Sequence, residues 1–259
     1  MGNANALIGA FAAHWRHSTR NWHGQGVIAI QIPTAVVLGW IAANSGDPTI
    51  LAYVIVGAPM MLVWENSAFF VPLALFNDVL EGTAEMTMAT RTPLSLVVLG
   101  KSLAVASLGA VSSVLTFVTV VGISGTIPKV DAVLPLLVSV AVVFLAIVAA
   151  GFLFAPVMIL TGREPGMLFA LAPLGTVVSG FLYPLSILPG WMEVAVRFAP
   201  TSWAMESVVF SVQGGATPER IAAGWGAALA ISAAYVLIGH ILFLRMERLV
   251  RAGGTLAPR

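Results

Sequence analysis

The stretch from residue 76 to 103, FNDVLEGTAEMTMATRTPLSLVVLGKSL, gathers Asp78, Glu81, Glu85, Arg91 and Lys101 between two long apolar runs. In a chain with only 9% charged residues and a mean hydropathy of +0.97, such a cluster on the rim of a membrane is a candidate docking surface. The chemistry it offers is ion pairing with something soluble. Left on a solvated helix face, each acid contributes under about 1 kcal/mol; against a partner's basic residues it carries force and specificity.

The deepest charge is Glu65, inside the apolar run MMLVWENSAFF. An ionisable group in a membrane helix costs at least about 2.5 kcal/mol and therefore raises a functional question. Two readings stand: a substrate-pathway or proton-coupling carboxylate, with Trp64, Asn66 and Phe69 beside it, or a bundle-facing residue paired with a hydroxyl or a neighbouring helix. A single carboxylate with no second intramembrane acid or base makes a poor proton relay. The neighbouring Met60, Met61 and Phe70 suit adaptable apolar contacts with a substrate and suit lipid-facing packing equally.

Two patterns carry less than they suggest. Residues 95–102, SLVVLGKS, end like a phosphate-binding loop but lack its opening glycine and its flexible middle, so Lys101 reads as a snorkelling cation at the end of a span. His14, His17 and His23 stand among Arg16 and Arg20 and read as a solvated face, not a metal site. The sequence offers no Ser-His-Asp set, paired carboxylates or intramembrane protease pattern, and so gives no positive sign of an enzyme. With no cysteine, it also excludes disulfides and thiol chemistry, and a net charge of +1 argues against a nucleic-acid partner.

The elements that must position these groups follow from composition. A hydrophobic fraction of 59% is well above the roughly 45 to 50% of soluble domains, and the apolar residues come in blocks long enough to cross a bilayer. The expectation is an all-α membrane protein, a single domain over residues 1–259, with six spans at about 27–43, 50–75, 94–122, 133–160, 167–188 and 222–244. On that reading Arg16, Arg20, Arg91, Lys101, Arg163, Arg245, Arg248, Arg251 and Arg259 share one side, leaving Lys129, Arg197 and Arg220 on the other. The asymmetry places both termini in the cytoplasm.

Ahead of the first span, Ile8, Phe11, Trp15 and Trp22 line one sector of a helix over residues 5–23, with Arg16, His17 and Arg20 on the other side, the pattern of an interfacial helix. No basic run precedes the apolar residues from Leu7 to Ala13, which disfavours a cleaved signal peptide. The small residues Ser107, Gly109, Ser112 and Ser113 of the third span favour close helix packing. After the fifth span, Pro184 and Pro189 should break the helix. Segments 189–198 and 201–212 are too short to cross and too apolar for water, so they read as a pair of short re-entrant or interfacial helices, with Glu206 at the wet rim. Thr217 and Pro218 read as the N-cap and first residue of the last span.

With these pieces in place, the charged stretch resembles the segment between the second and third spans of ABC-2 type permeases, the membrane subunits of ATP-binding cassette exporters. The likeness rests on Glu81, Gly82-Thr83-Ala84-Glu85, Pro93 and Gly100-Lys101, and on a second signature at Gly180, Pro184-Leu185, Leu188-Pro189, Trp191 and Pro200. It covers nearly the whole chain and departs from the family pattern at Val79-Leu80 and at Arg91, which interrupts the usual Ala-Thr-Pro. The resemblance implies a cytoplasmic coupling helix over residues 78–92, resting in a groove of a separately encoded ATPase subunit that binds ATP and Mg. Glu81 and Glu85 would make salt bridges there and Gly82 would permit a close turn, with Thr83, Arg91 and Pro93 in the same element. It further implies two ATPase copies, a second identical or homologous permease, and export of a hydrophobic or amphiphilic substrate such as a drug, antibiotic, lipid or glycolipid across the bacterial inner membrane. No cofactor would bind this chain itself. The competing classes are an ion-coupled secondary transporter using Glu65, which should show an inverted repeat or paired broken helices, and a membrane assembly subunit with no transport of its own.

Overall fold

In an apolar solvent a backbone must satisfy its own N–H and C=O groups, and a helix does so within one segment. The computed structural model of the chain, described over residues 3–20, 22–89, 92–128, 130, 132–161, 166–214 and 216–251, follows this rule: its described residues form helices and no strand. In chain order these are α1 (Asn3–Arg20), α2 (Trp22–Asn44), α3 (Pro48–Leu80), α4 (Thr83–Ala89), α5 (Leu94–Ser124), α6 (Val133–Thr161), α7 (Gly166–Ser179), α8 (Gly190–Val196), α9 (Pro200–Gln213) and α10 (Pro218–Arg251), with a 3-10 turn at Leu185–Ile187. Four of them, α3, α5, α6 and α10, are long and apolar enough to cross a membrane. At about 1.5 Å per residue each exceeds the roughly 30 Å of a hydrocarbon core.

Local chemistry sets the helix starts. Asp47 accepts from the Thr49 backbone N–H at 2.7 Å, with Pro48 at the first position of α3. Thr217 caps α10 in the same way, accepting from Arg220 N–H at 3.4 Å ahead of Pro218. Both pairings follow from the ability of a short oxygen side chain to satisfy an orphan donor while proline loses none.

The hub is α3, whose most apolar stretch is 72% buried against 22% for α10. It packs along α5 and α2 on one flank and α6, α7 and α9 on the other, while α10 closes over α6 and α9. Small residues bring these backbones together. The Phe181 carbonyl oxygen lies 1.6 Å from where a Cβ at Gly57 would stand, and Val63 of α3 packs on Gly109 of α5. α1 lies against the start of α5, where a Cβ at Gly100 would come within 2.7 Å of the Leu7 carbonyl oxygen.

Several boundaries differ from those expected. α3 runs on to Leu80, beyond 75, because its apolar periodicity continues through Val71, Leu75 and Val79, all buried. The coupling segment expected at 78–92 is therefore the last turn of α3, a sharp turn at Glu81-Gly82 and the short helix α4. The helix expected over 167–188 stops at Ser179, since Gly180 takes a φ of +64°, a conformation costly for residues with a Cβ, and Pro184 follows. The interfacial helix expected over 5–23 is split, α1 ending at Arg20 and Trp22 opening α2. The two short segments after Pro189 are helical, but α9 is no surface helix: Thr201, Ser202, Met205, Val208, Val209 and Val212 are all buried.

Gly57→Ala should overpack the contact with Phe181 and cost about 1 to 3 kcal/mol. Thermal unfolding of the purified protein in detergent would show a lowered midpoint, and Gly122→Ala, whose added carbon meets nothing within 4 Å, should not.

Candidate functional site

The charged stretch is built on the end of α3. Glu81 N–H donates to Asn77 O at 2.9 Å and Gly82 N–H to Val79 O at 3.2 Å, closing the helix, and Gly82 turns the chain with a φ of +72° that glycine adopts freely. Thr83 then donates its hydroxyl to Asp78 O at 3.1 Å and opens α4. Ala84 and Met88 are buried against Val79, Leu94, Val98, Phe243 and Met246. On the opposite side Glu81 and Glu85 are exposed together with the large apolar side chains of Leu80, 58% exposed, and Met86, 68% exposed. A face with two acids and two apolar anchors is thus held out from a packed base. Pro93 stands at the N-cap of α5; Arg91 lies outside the described residues.

Two polar ties fix this end of the bundle, and neither was read from the sequence. Lys101 of α5 forms an ion pair with Asp78 of α3, both side chains mostly buried, which corrects the expectation of a snorkelling cation. Glu247 of α10 accepts from the Leu94 backbone N–H at 3.0 Å. Pro93 has no side chain able to cap α5, so a carboxylate distant in sequence serves that first turn, where the helix dipole also favours a negative charge. A sequence signal existed for the first tie, since an acid and a lysine flank the turn. The second depends on tertiary folding alone.

His14 on α1 joins the same region, stacking with His17 at 6.3 Å between ring centroids. Burial, and then the nearby Lys101 and His17, push its pKa down from 6.5 to about 4. The imidazole is held neutral where α1 meets α5.

Midway along α3, Glu65 is half-buried and accepts from the Thr176 hydroxyl of α7 at 3.4 Å. Asn66 is half-buried beside it. Trp64 is buried, with its indole over Gly175 and its ring edge-on to Phe154 at 6.0 Å. Phe69 stacks edge-on with Phe70 at 5.1 Å. The four residues share one stretch of helix, and Trp64 lines a pocket of about 170 Å³ with Phe154, Val178, Phe198 and Tyr235.

The end of the bundle remote from α4 holds the second signature. Gly180 makes the turn after α7, Pro184 precedes the 3-10 turn, Pro189 precedes α8 and Pro200 opens α9. Trp191 is 75% exposed on α8, alongside Val194 and Phe198. Glu206 is partly exposed, paired with Arg197 at 2.5 Å and 3.6 Å from the more exposed Arg220. The two guanidiniums lie over the rings of Trp203 and Phe210, at 4.4 and 4.5 Å from the centroids. These charges line a cavity of about 270 Å³ with Tyr53 and Glu193.

Comparison with protein-family models finds none that matches this chain, and a search of curated proteins finds no match. The functional reading rests on the residues and the geometry described above.

Glu247→Ala should remove the cap on α5 and cost about 0.5 to 2 kcal/mol, while Glu247→Gln, which keeps an acceptor oxygen, recovers most of the loss; thermal unfolding of the two variants side by side separates them. Because His14 has its folded pKa depressed, the unfolded chain binds more protons between the two values. The stability it supports is complete above pH 6.5 and drains away as the pH falls toward about 4. Trp15 fluorescence followed across that window should report release of α1, and His14→Gln should flatten the profile.

Proposed function

We propose that the chain is the permease subunit of an ABC-2 type exporter, driven by ATP hydrolysis in a separate ATPase subunit. The observation that carries the reading is the helix α4. It is anchored inward by Ala84 and Met88, it presents Glu81, Glu85, Leu80 and Met86 outward, and it stands directly on α3, the most buried of the candidate spans. A push on that face has a rigid path into the bundle through the Asp78–Lys101 pair and the Glu247 cap.

On this reading α2 and the α7 to 3-10 segment supply two further crossings, giving six spans with an interfacial α1. The excess of Lys and Arg at the α4 end places that end and both termini in the cytoplasm. Glu81 and Glu85 pair with basic residues of the ATPase, Leu80 and Met86 fill apolar pockets between them, and the Gly82 turn lets the partner approach closely. Two such permeases and two ATPases, binding ATP and Mg, form the working unit in a bacterial inner membrane. The cargo is a hydrophobic or amphiphilic molecule, in keeping with a membrane body whose interior is apolar. Glu65, held by one hydroxyl on α7, serves as a bundle contact in this mechanism.

The test is co-expression with an ATP-binding cassette ATPase, sought first in the neighbouring reading frames. Glu81→Lys with Glu85→Lys should leave the membrane level and unfolding midpoint of the permease unchanged. It should lower transport-coupled ATP hydrolysis at least about tenfold, equivalent to about 1.4 kcal/mol of lost interaction. Full transport by the reversed variant rules out the hook, and ATP hydrolysis by the purified chain alone rules out the division of labour.

A further inference from the structure

At the end remote from α4, two cavities meet at Ser179, and they differ sharply in chemistry. One, of about 170 Å³, is walled by Trp64, Phe154, Gly175, Val178, Phe198 and Tyr235. The other, of about 270 Å³, is lined by Tyr53, Glu193, Arg197, Glu206, Phe210 and Arg220. They lie on the two sides of the α8–α9 junction, with Ala195, Phe198 and Thr201 facing the apolar chamber and Glu193, Arg197 and Ser202 the polar one. At the meeting point the Ser179 hydroxyl bonds Thr201 at 2.6 Å and Gly175 O at 2.7 Å, so the neck between them is satisfied by protein groups.

The charge pattern selects the occupant. Two guanidiniums face two carboxylates in the polar chamber, so it is neutral overall while offering both signs within one small volume. A purely anionic headgroup would meet the carboxylate of Glu193 beside a Glu206 already paired with Arg197, and a purely cationic one the guanidinium of Arg220. Arg220 stands 3.6 Å from Glu206, beyond hydrogen-bond distance, and its side chain is 64% exposed, leaving donors to turn toward a phosphate. An ammonium group finds the Glu193 carboxylate in the same chamber, while the ring of Phe210 carries the Arg220 guanidinium at 4.5 Å. The apolar chamber next door suits an acyl chain, and Phe198 in its lining is exposed, as are the apolar side chains of Trp191 and Val194 on the preceding helix α8.

We infer that this is a binding site for a zwitterionic phospholipid, its phosphate on Arg197 and Arg220, its ammonium toward Glu193 and Glu206, and its acyl chain along Trp64 and Phe154. Arg197 is the fixed half of the clamp. It already holds Glu206 at 2.5 Å and its backbone carbonyl accepts from the Trp203 indole at 2.9 Å, which keeps the guanidinium over that ring. Arg220 is the mobile half and closes over the headgroup. The inference rests on the export reading only for what the bound lipid is for; the binding itself belongs to this chain alone.

The experiment uses the purified full chain in detergent and lysophosphatidylethanolamine brominated on its tail, which quenches tryptophan fluorescence on contact. Saturable quenching is expected, reduced by at least about half in Trp64→Phe. Arg220→Gln, at a side chain that is 64% exposed, should weaken the apparent affinity about tenfold through loss of one charge-assisted hydrogen bond. Arg197→Gln should do at least as much if it folds. The brominated lysophosphatidylglycerol should bind at least about tenfold more weakly. Equal quenching in Trp64→Phe, an Arg220→Gln affinity like that of the parent, or equal binding of the glycerol lipid each overturns the proposal. None of these outcomes touches the coupling face of α4, and full transport by the charge-reversed variant, which rules out the hook, leaves this site standing.

Discussion

The structure depends on how closely other backbones approach α3. Lipid tails are as apolar as leucine, so burying leucine against leucine gains little in a membrane, and helices associate through close packing and internal polar contacts. Here the Phe181 backbone rests on Gly57, Val63 packs on Gly109, the Ser67 carbonyl faces Gly151 and the Trp64 indole covers Gly175. One helix therefore touches α5, α6, α7 and the turn after α7 at points where a side chain would stand in the way. These contacts hold the two flanks of the bundle in register and fix where every other functional group lies.

Polar groups then specify the two ends. In low dielectric an unpaired charge is costly, while a paired one sets direction and partner. Lys101 selects Asp78, Glu206 gathers Arg197 and Arg220, and the Ser139 hydroxyl accepts from the Trp225 indole at 2.8 Å between α6 and α10. The exposed acids stand apart from this scheme. Glu81 and Glu85 sit on a turn and a short helix whose inward side is held by Ala84 and Met88, so both acids face solvent.

Long apolar segments were legible from sequence because hydrophobicity is a local property. The helix expected over 94–122 is Leu94–Ser124 and that over 133–160 is Val133–Thr161. Proline and glycine marked the breaks near Pro184, Pro189 and Pro218 for the same reason. What escaped depends on who lies opposite. Gly100 reads as one residue of a motif, yet in space it is the seat of α1; Lys101 reads as a snorkelling end, yet meets Asp78. Segment 201–212 reads as too apolar for water and α9 is indeed buried, but how its serines are accommodated depends on the fold. In the fold they turn inward, Ser207 donating to Trp203 O at 3.0 Å and Ser211 to Ser207 O at 2.7 Å, which hides their polarity inside the helix.

The Glu247 cap has a consequence for how the chain is made. Leu94 begins its helix long before Glu247 has left the ribosome, and synthesis runs from the N-terminus. Until the last helix inserts, the opening turn of α5 must keep its donor on water or lipid headgroups, and the α4 segment ahead of it stands on an unfinished base. Arrival of α10 supplies the missing acceptor and covers Met88 and Val98 with Phe243 and Met246. Insertion of α10 is thus also the moment at which the exposed face of α4 gains a rigid base.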